Sequence, residues 1–577
     1  MQYDSARLST MRGIPWRLLG AGALTALLLD LPFPLAGPLP VWRTVFAWFA
    51  LVPLLVALLR LPESMCGKPL RWAFFGGWWT GALWFGSNCY WVYNTMHLYG
   101  GMNEPMAVLC LVLFSIYLGF WFGVFALALV VIRRATVGGR FGWVGPAAIP
   151  FLWTAMEFAL ARIPAFPWDL LGYSQVDNGL LTRLAPWTGV YGISFVLAAG
   201  NALLTAGRLY TSLKPETWNR RAFIQFIHPT EYGVLLWIAI NFLVSTQLVP
   251  SPKPPATETA VLVQPNLNVD TDDVWVGPEW DRHIAQFTQL GAETCKNSLN
   301  GIPEAGALAI TPKCPVPVMP PSLIVWPESP APFHDGDGRF REAMASVAGA
   351  DKAPMIVGDI GMDEDVAARQ IRIYNSASVI AADGRFVGRY DKIRLVPFGE
   401  YIPVQTLFFF LHKITANLPD TDAGTERKTF RIGGHLYGVF ICYESVFGDE
   451  VRQFAKNGAE VLVNISDDGW YGDTSAPWQH LNMARMRAIE NRRWILRDAN
   501  NGVTAAINPY GTVRQSIPRH QVDALPAEYG FNSETTFYTR HGDWFAGLCA
   551  ILSLALLVWS ARKLLMGFPS GAKAPLV

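Results

Sequence analysis

Three residues of this 577-residue chain could together make and break an acyl bond, and each stands where an apolar run stops. Cys442 ends Gly438-Val-Phe-Ile-Cys442 and is followed by Tyr443 and Glu444. Glu328 ends Leu323-Ile-Val-Trp-Pro-Glu328, and Lys392 lies in Tyr390-Asp-Lys-Ile-Arg-Leu-Val-Pro-Phe-Gly-Glu400. A thiol at the end of a buried strand is held rigidly by the strand and exposed by the turn, which suits a nucleophile. Singly, each residue has an ordinary explanation: a cysteine after an apolar run is a small core residue, and a lone Glu or Lys is a solvated charge. Converging at one rim of a sheet, they would supply a nucleophile, a general base and a cation for a developing oxyanion.

The composition says where such a site would work. Hydrophobic residues make up 51% and charged residues 16% of the chain, with 23 Trp and 34 Phe, too apolar for an ordinary soluble protein. The formal net charge of +1 leaves no basic excess to meet a nucleic acid. Runs long enough to cross a bilayer fall at residues 18–35, 45–61, 72–92, 106–132, 144–161, 190–206, 232–249 and 544–560. Arg7, Arg12 and Arg17, then Arg60, Lys68 and Arg71, then Arg133, Arg134 and Arg140, then Arg208, Lys214, Arg220 and Arg221, and finally Arg562 and Lys563 fall on one side of these eight spans. That side is the cytoplasm by the positive-inside rule, so both termini are expected there, although Arg162 and Arg183 blur the alternation. A cleavable signal peptide is the alternative for the basic, apolar start, but Asp30 and the proline-rich 32–40 follow without an obvious small-x-small site.

The expected organisation is a membrane domain of seven spans at 1–249, a stiff proline-rich linker at 250–258, a soluble domain at 259–543, and an eighth span with a cytoplasmic tail at 544–577. Parity places the soluble domain outside the cytoplasm. Within it, strands are expected at 260–263, 322–326, 355–359, 437–441, 461–465 and 503–507. Helices are expected at 278–295 and 477–497, and turns at Asp383-Gly384 and Asn508-Pro-Tyr-Gly511. Alternating strands and helices indicate a layered α/β domain.

Trp326-Pro-Glu-Ser329, the Lys392 segment with Val396-Pro-Phe-Gly-Glu400, and Cys442-Tyr-Glu444 resemble the Glu-Lys-Cys motifs of the nitrilase (carbon-nitrogen hydrolase) superfamily. Eight spans with that domain inserted before the last resemble its membrane branch, the apolipoprotein N-acyltransferases. The likeness continues through Gly100-Gly-Met102, Phe166-Pro-Trp-Asp-Leu-Leu-Gly-Tyr-Ser-Gln175, Pro477-Trp-Gln-His-Leu-Asn-Met-Ala-Arg-Met-Arg487 and Asn500-Asn-Gly502. It implies an αββα domain facing the periplasm from the inner membrane. It also implies transfer of an acyl chain from a glycerophospholipid, typically phosphatidylethanolamine, to the N-terminal amine of a diacylglyceryl-cysteine apolipoprotein; a monomer without a cofactor is the separate expectation. Carried over by motif, Glu328 is the base, Lys392 the oxyanion-stabilising residue and Cys442 the nucleophile, with Glu400, Tyr443 and Glu444 around the site. Trp275, after Gln264-Pro-Asn266, matches a substrate-side tryptophan. Asp467 is a departure, since the family commonly has asparagine there.

That chemistry stands on its own terms. A thiol with a pKa of about 8.5 is mostly protonated near neutral pH, so a base must take its proton. The same carboxylate can return the proton to the leaving glycerol oxygen and later deprotonate the incoming amine. A thioester giving an amide runs downhill, and no Gly-x4-Gly-Lys-[Ser/Thr] phosphate loop is present. The apolar run 406–411 reads either as buried core or as a lid dipping toward acyl chains, and 166–173 as an interfacial floor or a simple anchor. Cys66, Cys89, Cys110 and Cys549 read as apolar filler, Cys295 and Cys314 could form a disulfide, and His480 reads as a hydrogen-bonded structural histidine. No metal-ligand spacing occurs. A membrane-tethered nitrilase-type amidase with water as acceptor is the rival reading. A transporter or scaffold is disfavoured by the complete triad and by the lack of an ionisable cluster within the spans.

Overall fold

Prolines decide where the first helices stop. In the computed structural model, which describes residues 15–61, 69–136, 143–211, 254–269, 278–297, 321–328, 333–365, 370–402 and 421–566, helix α1 (Trp16–Asp30) ends just before Pro32 and Pro34. The expected second span is broken rather than continuous. A 3-10 segment, Val41–Trp48, precedes α2 (Val52–Leu59), which carries Pro53 in its first turn. The Leu51 N–H at the break donates to Asn201 Oδ1 at 2.9 Å, so the interruption leaves no orphan donor there.

Helices α3 (Pro69–Asn88), α4 (Glu104–Thr136), α5 (Val144–Arg162) and α6 (Val190–Thr211) continue the bundle. The third expected span thus stops at Asn88, after which a short helix, Trp91–Asn94, runs into a π-turn, Thr95–Tyr99. α3 and α4 approach closely because Gly77 lies against the Phe122 carbonyl, where a Cβ would collide with backbone. Among the described residues five stretches are long and apolar enough to cross a membrane: Val41–Leu59, Glu104–Thr136, Val144–Arg162, Val190–Leu209 and Trp544–Leu565. The span expected at 232–249, the lid at 406–411, Cys66 and Cys314 lie outside the described residues, and with Cys314 the proposed disulfide.

The bundle also gathers charge that single spans did not reveal. Asp30, Glu157 and Asp169 are all buried in it. Glu157 accepts from Trp153 Nε1 at 2.9 Å and from the Leu171 N–H at 2.8 Å, and Asp169 accepts from Asn88 Nδ2 at 3.0 Å. Glu157 and Asp169 thereby tie the loop after α5 to the bundle.

Two six-stranded sheets form the second half, in the orders β12-β1-β2-β3-β4-β5 and β11-β10-β9-β8-β7-β6. The first contains β1 (Glu258–Gln264), β2 (Leu323–Trp326), β3 (Met355–Asp365), β4 (Gln370–Ile380) and β5 (Phe386–Asp391). The second contains β6 (Thr429–Ile432), β7 (His435–Ile441), β8 (Val461–Ser466), β9 (Trp494–Ala499), β10 (Thr504–Ile507) and β11 (Val513–Ile517), and β12 (Asp523–Tyr529) returns to the first. β1, β2 and β3 run parallel, as do β7, β8 and β9, and the outer pairings are antiparallel. Leu262, Val325 and Ile356 of one sheet share a core with Val439, Val463 and Leu496 of the other. The turn at Asp383-Gly384 joins β4 to β5, with Gly384 at φ 84°.

Helices α7 (Pro278–Asn297) and α8 (Gly338–Asp351) cover the outer face of the first sheet through Phe287, Phe340 and Met344. α9 (Gly448–Lys456) and α10 (Ala476–Asn491) cover the second. The helix expected to run to 497 ends at Asn491, because Arg492 turns left-handed at φ 53° and Trp494 begins a buried central strand. The last helix, α11 (Trp544–Leu565), packs back against α4 and α5.

Candidate active site

The carboxyl ends of β2, β5, β7, β8 and β9 bring the polar residues together. Glu328 lies just past β2, Cys442 directly after β7, Asp467 after β8, Asn500 after β9, and Lys392 one residue beyond β5. Open α/β sheets place their reactive groups at this edge because strand ends fix Cα positions while the following turns release side chains.

Lys392 is 1% exposed and lies between two carboxylates, its Nζ 3.1 Å from Glu328 Oε1 and 3.0 Å from Glu400 Oε1. Asn375 Nδ2, from β4, donates to the same two oxygens at 2.7 Å each. Glu328 Oε2 accepts the Asp467 backbone N–H at 2.8 Å, and Glu400 Oε2 that of Val396 at 2.7 Å. Burial alone would favour a neutral lysine, but the charges of Glu328 and Glu400 outweigh it and raise the Lys392 pKa well above its ordinary value. The ammonium is therefore a permanent cation.

Cys442 opens a 3-10 turn, Cys442–Val446, in the left-handed conformation at φ 47°, and is 6% exposed. Burial and then the Glu328 charge push its thiol pKa up, against the opposing pull of Lys392. Burial thus favours the protonated thiol, and a sulfur of this kind could serve as a nucleophile only with a base to take its proton. Glu444 ties the two sides of the site: it accepts from the Ile441 N–H and Tyr390 hydroxyl, both at 2.7 Å, and from the N–H groups of Ile393 at 2.7 Å and Arg394 at 3.2 Å. Burial raises its pKa to about 7 despite these donors.

Asp467 does not place a free charge in the site. Its carboxyl accepts from Gly469 N at 3.0 Å and Asn500 Nδ2 at 3.2 Å, and burial together with Glu328 lifts its pKa to about 8, so it is held as the neutral acid. A neutral acid there is close in shape and charge to an asparagine.

The Cys442 turn sits on the membrane bundle. Tyr443, Val446, Phe447, Tyr471, Met483 and Met486 share a core cluster with Trp91, Phe122, Trp153 and Trp168. Tyr443 donates its hydroxyl to the Ala165 carbonyl at 3.3 Å, so it faces the bundle rather than the Glu328–Lys392 cluster. Trp168 and Tyr173 are fully buried, which corrects the picture of 166–173 as an interfacial anchor: Trp168 Nε1 donates to Gln479 Oε1 at 2.8 Å, and Arg487 donates to the Tyr173 hydroxyl at 2.8 Å. Arg162, which blurred the charge alternation, is paired with both Asp449 and Asp543.

The structure thus brings Glu328, Lys392 and Glu400 from the first sheet together with Cys442 from the second, puts Glu444 beneath them and Tyr443 behind, and does not describe Trp275. Asn375 and Asp468 were missed. Asn375 lies inside a strand pattern that carries no mark of function, whereas Asp468 sits in the flagged Asn464-Ile-Ser-Asp-Asp-Gly-Trp470 stretch. No group of three or more potential metal ligands occurs among the described residues.

Comparison with known proteins accounts for both halves. A family model of the apolipoprotein N-acyltransferase N-terminal domain matches residues 25–203, and one of carbon-nitrogen hydrolase matches residues 278–523. The apolipoprotein N-acyltransferase of Geobacter metallireducens is 31% identical over 567 residues, which cover 98% of this chain and 99% of that protein. That of Pseudomonas paraeruginosa is 32% identical over 549 residues, 94% of each. Nit3 of Saccharomyces cerevisiae, a member of branch 10 of the nitrilase superfamily, aligns at 15% identity and a TM-score of 0.34 over 48% of this chain and 93% of that one. With its near full-length relatives and its long apolar helices, the chain is a multi-pass membrane protein and belongs to the apolipoprotein N-acyltransferase family.

Proposed function

We propose that this protein moves an acyl chain from a glycerophospholipid, phosphatidylethanolamine being the expected donor, through a thioester on Cys442 to the N-terminal amine of a diacylglyceryl-cysteine apolipoprotein. The observation that carries this reading is the position of the Cys442 turn: it joins the Glu328–Lys392–Glu400 cluster on one side and shares a hydrophobic core with the membrane bundle on the other. A hydrolase of soluble amides has no need of that second contact, whereas substrates that never leave a bilayer do.

In this scheme the Cys442 thiol passes its proton to Glu328 as sulfur attacks the ester carbonyl. Lys392 and a backbone N–H of the following turn receive the developing oxyanion, and losing one such donor costs about 3 kcal/mol of barrier. Glu328 returns the proton to the glycerol oxygen as the carbon–oxygen bond breaks, which releases a lysophospholipid and leaves the thioester. The neutral amine of the acceptor then attacks the thioester, Glu328 takes an amine proton and passes it to the sulfur as the carbon–sulfur bond breaks, which releases the amide and restores the Cys442 thiol and the Glu328 carboxylate. Glu400 and Asn375 hold Lys392 and Glu328 in register, Glu444 fixes the backbone under both segments, and Tyr443 seats the nucleophile turn on the bundle. Trp275 would meet substrate.

The same reading places eight spans in the inner membrane of a bacterium, with 259–543 in the periplasm, both termini in the cytoplasm and the protein acting as a monomer. Arg162 fits this orientation despite its charge, because Asp449 and Asp543 neutralise it.

The test is intact-protein mass spectrometry of detergent-purified protein incubated with phosphatidylethanolamine, then chased with a diacylated lipopeptide or with buffer. An acyl adduct absent from Cys442→Ser, discharged by lipopeptide and stable in buffer is the expected result. Equally fast loss in buffer would make the protein a hydrolase, and no adduct on folded protein would remove the thioester from the scheme.

A further inference from the structure

Beneath Cys442 lies a buried polar group that the scheme above leaves unused. His480, on α10, is fully buried, and its Nε2 lies 3.0 Å from the carbonyl oxygen of Cys442. A carbonyl can only accept, so Nε2 carries the hydrogen and donates it. The other ring nitrogen lies 2.9 Å from Asp468 Oδ1 and 3.1 Å from Arg497 Nη2. Asp468 is itself held by Arg497 Nη2 at 2.7 Å and by the Ser466 hydroxyl at 2.9 Å, and all three side chains are fully buried. Trp168 of the membrane half stacks on the imidazole at 6.0 Å and 16°. The ring therefore has neither water to meet nor room to turn.

What His480 holds is the strained point of the site. Cys442 has a side chain yet sits at φ 47°, a conformation that a residue with a Cβ adopts only where its surroundings impose it. Glu444 fixes the amide of Ile441 just before this residue, and His480 fixes the carbonyl just after the Cys442 Cα. With the chain held on both sides, the direction of the Cα–Cβ bond, and so the path of the sulfur, is set.

We propose that His480, oriented by Asp468 and Arg497, is a positioning residue that keeps the Cys442 backbone left-handed and thereby aims the thiol between Glu328 and Lys392. The proposal rests on Cys442 being the nucleophile. Its role passes entirely through the Cys442 carbonyl, so any side chain that puts an N–H donor where Nε2 stands should serve in part.

The experiment compares His480→Gln, His480→Asn and His480→Leu in the full-length protein in detergent, reading the rate of acyl-adduct formation from phosphatidylethanolamine by intact mass, at several lipid concentrations. Glutamine can carry its amide N–H to the Nε2 position, whereas asparagine is too short and leucine has no donor. His480→Leu and His480→Asn should acylate about 100-fold more slowly at saturating lipid, the scale of a displacement of about 1 Å at a reacting atom, with half-saturation unchanged. His480→Gln should recover at least about tenfold of that loss. If His480→Leu does not fold, the Gln and Asn variants decide the matter, since both are polar and only one reaches. Equal rates for those two, or wild-type rates throughout, would overturn the role of His480 while the wild-type adduct still upheld Cys442. Absence of the adduct from wild-type protein would overturn both.

Discussion

The backbone N–H of Asp467 donates to Glu328 Oε2 at 2.8 Å, while the Asp467 side chain turns away to Gly469 and Asn500. Its main chain supports the candidate base, and its carboxyl, at a pKa of about 8, stays protonated near neutral pH. A carboxyl whose folded pKa is raised favours the folded state most below its unfolded value of 3.8, and that advantage is lost as pH rises toward about 8. Glu444, raised to about 7, adds a slope of the same sign. Whatever fixed cost Asp467→Asn carries for turning its NH2 toward Gly469 or Asn500, its melting temperature should fall about 2–4 °C less than wild type's between pH 5 and pH 8. Parallel melting curves for the two proteins across this range would show that Asp467 is not held as the neutral acid.

Glu328 and Lys392 act on the Cys442 thiol in opposite directions, the carboxylate raising its pKa and the ammonium lowering it. Glu328→Gln should consequently speed alkylation of Cys442 by iodoacetamide at pH 8, even as acyl-adduct formation falls by about 100-fold or more through loss of the base. Lys392→Met should depress both. Slower alkylation of Glu328→Gln would contradict the assigned geometry.

Glu444 accepts four hydrogens from Ile441, Tyr390, Ile393 and Arg394. An amide in its place must aim an NH2 at one of those donors, so Glu444→Gln strands buried polar groups as Glu444→Ala does. Each variant should lose about 3 kcal/mol of stability and nearly all acylation, because the Lys392 and Cys442 segments come loose together. Calorimetry on the detergent-solubilised protein, beside the mass assay, reads both, and an unchanged melting temperature would count against the tie.

Arg162 pairs with Asp449 at the start of α9 and Asp543 before α11, joining the end of a bundle helix to the catalytic half. Because Arg162 is itself about a third exposed, Arg162→Met should cost only about 1–2 kcal/mol, more at low than at high salt. Limited proteolysis around 537–543 should become faster in the variant; unaltered cleavage would place the joint elsewhere.

The sequence by itself determined the family and the two halves. Glu328 and Cys442 stood out as candidates because each follows an apolar strand, where a polar residue has few structural reasons to be, whereas Lys392 follows the largely polar β5 and stood out by its motif. The long apolar runs were legible because crossing a bilayer needs only length and hydropathy. Tertiary structure decided everything that depends on partners from distant segments. Asn375 is an ordinary strand residue until β4, one strand removed from β2 and next to β5, carries it to Glu328 and Glu400, and Asp467 looks like a charge until burial and Glu328 hold its proton. His480 was readable as a buried, hydrogen-bonded histidine, but its acceptor 38 residues away along the chain was not. The helix expected to reach 497 gave way to β9 because a central place between β8 and β10 outweighs the helical tendency of Arg492 to Arg497. Above all, that the Cys442 turn rests on the membrane bundle through Tyr443, Phe447 and Met486 follows from packing between halves far apart in sequence, which no local pattern records.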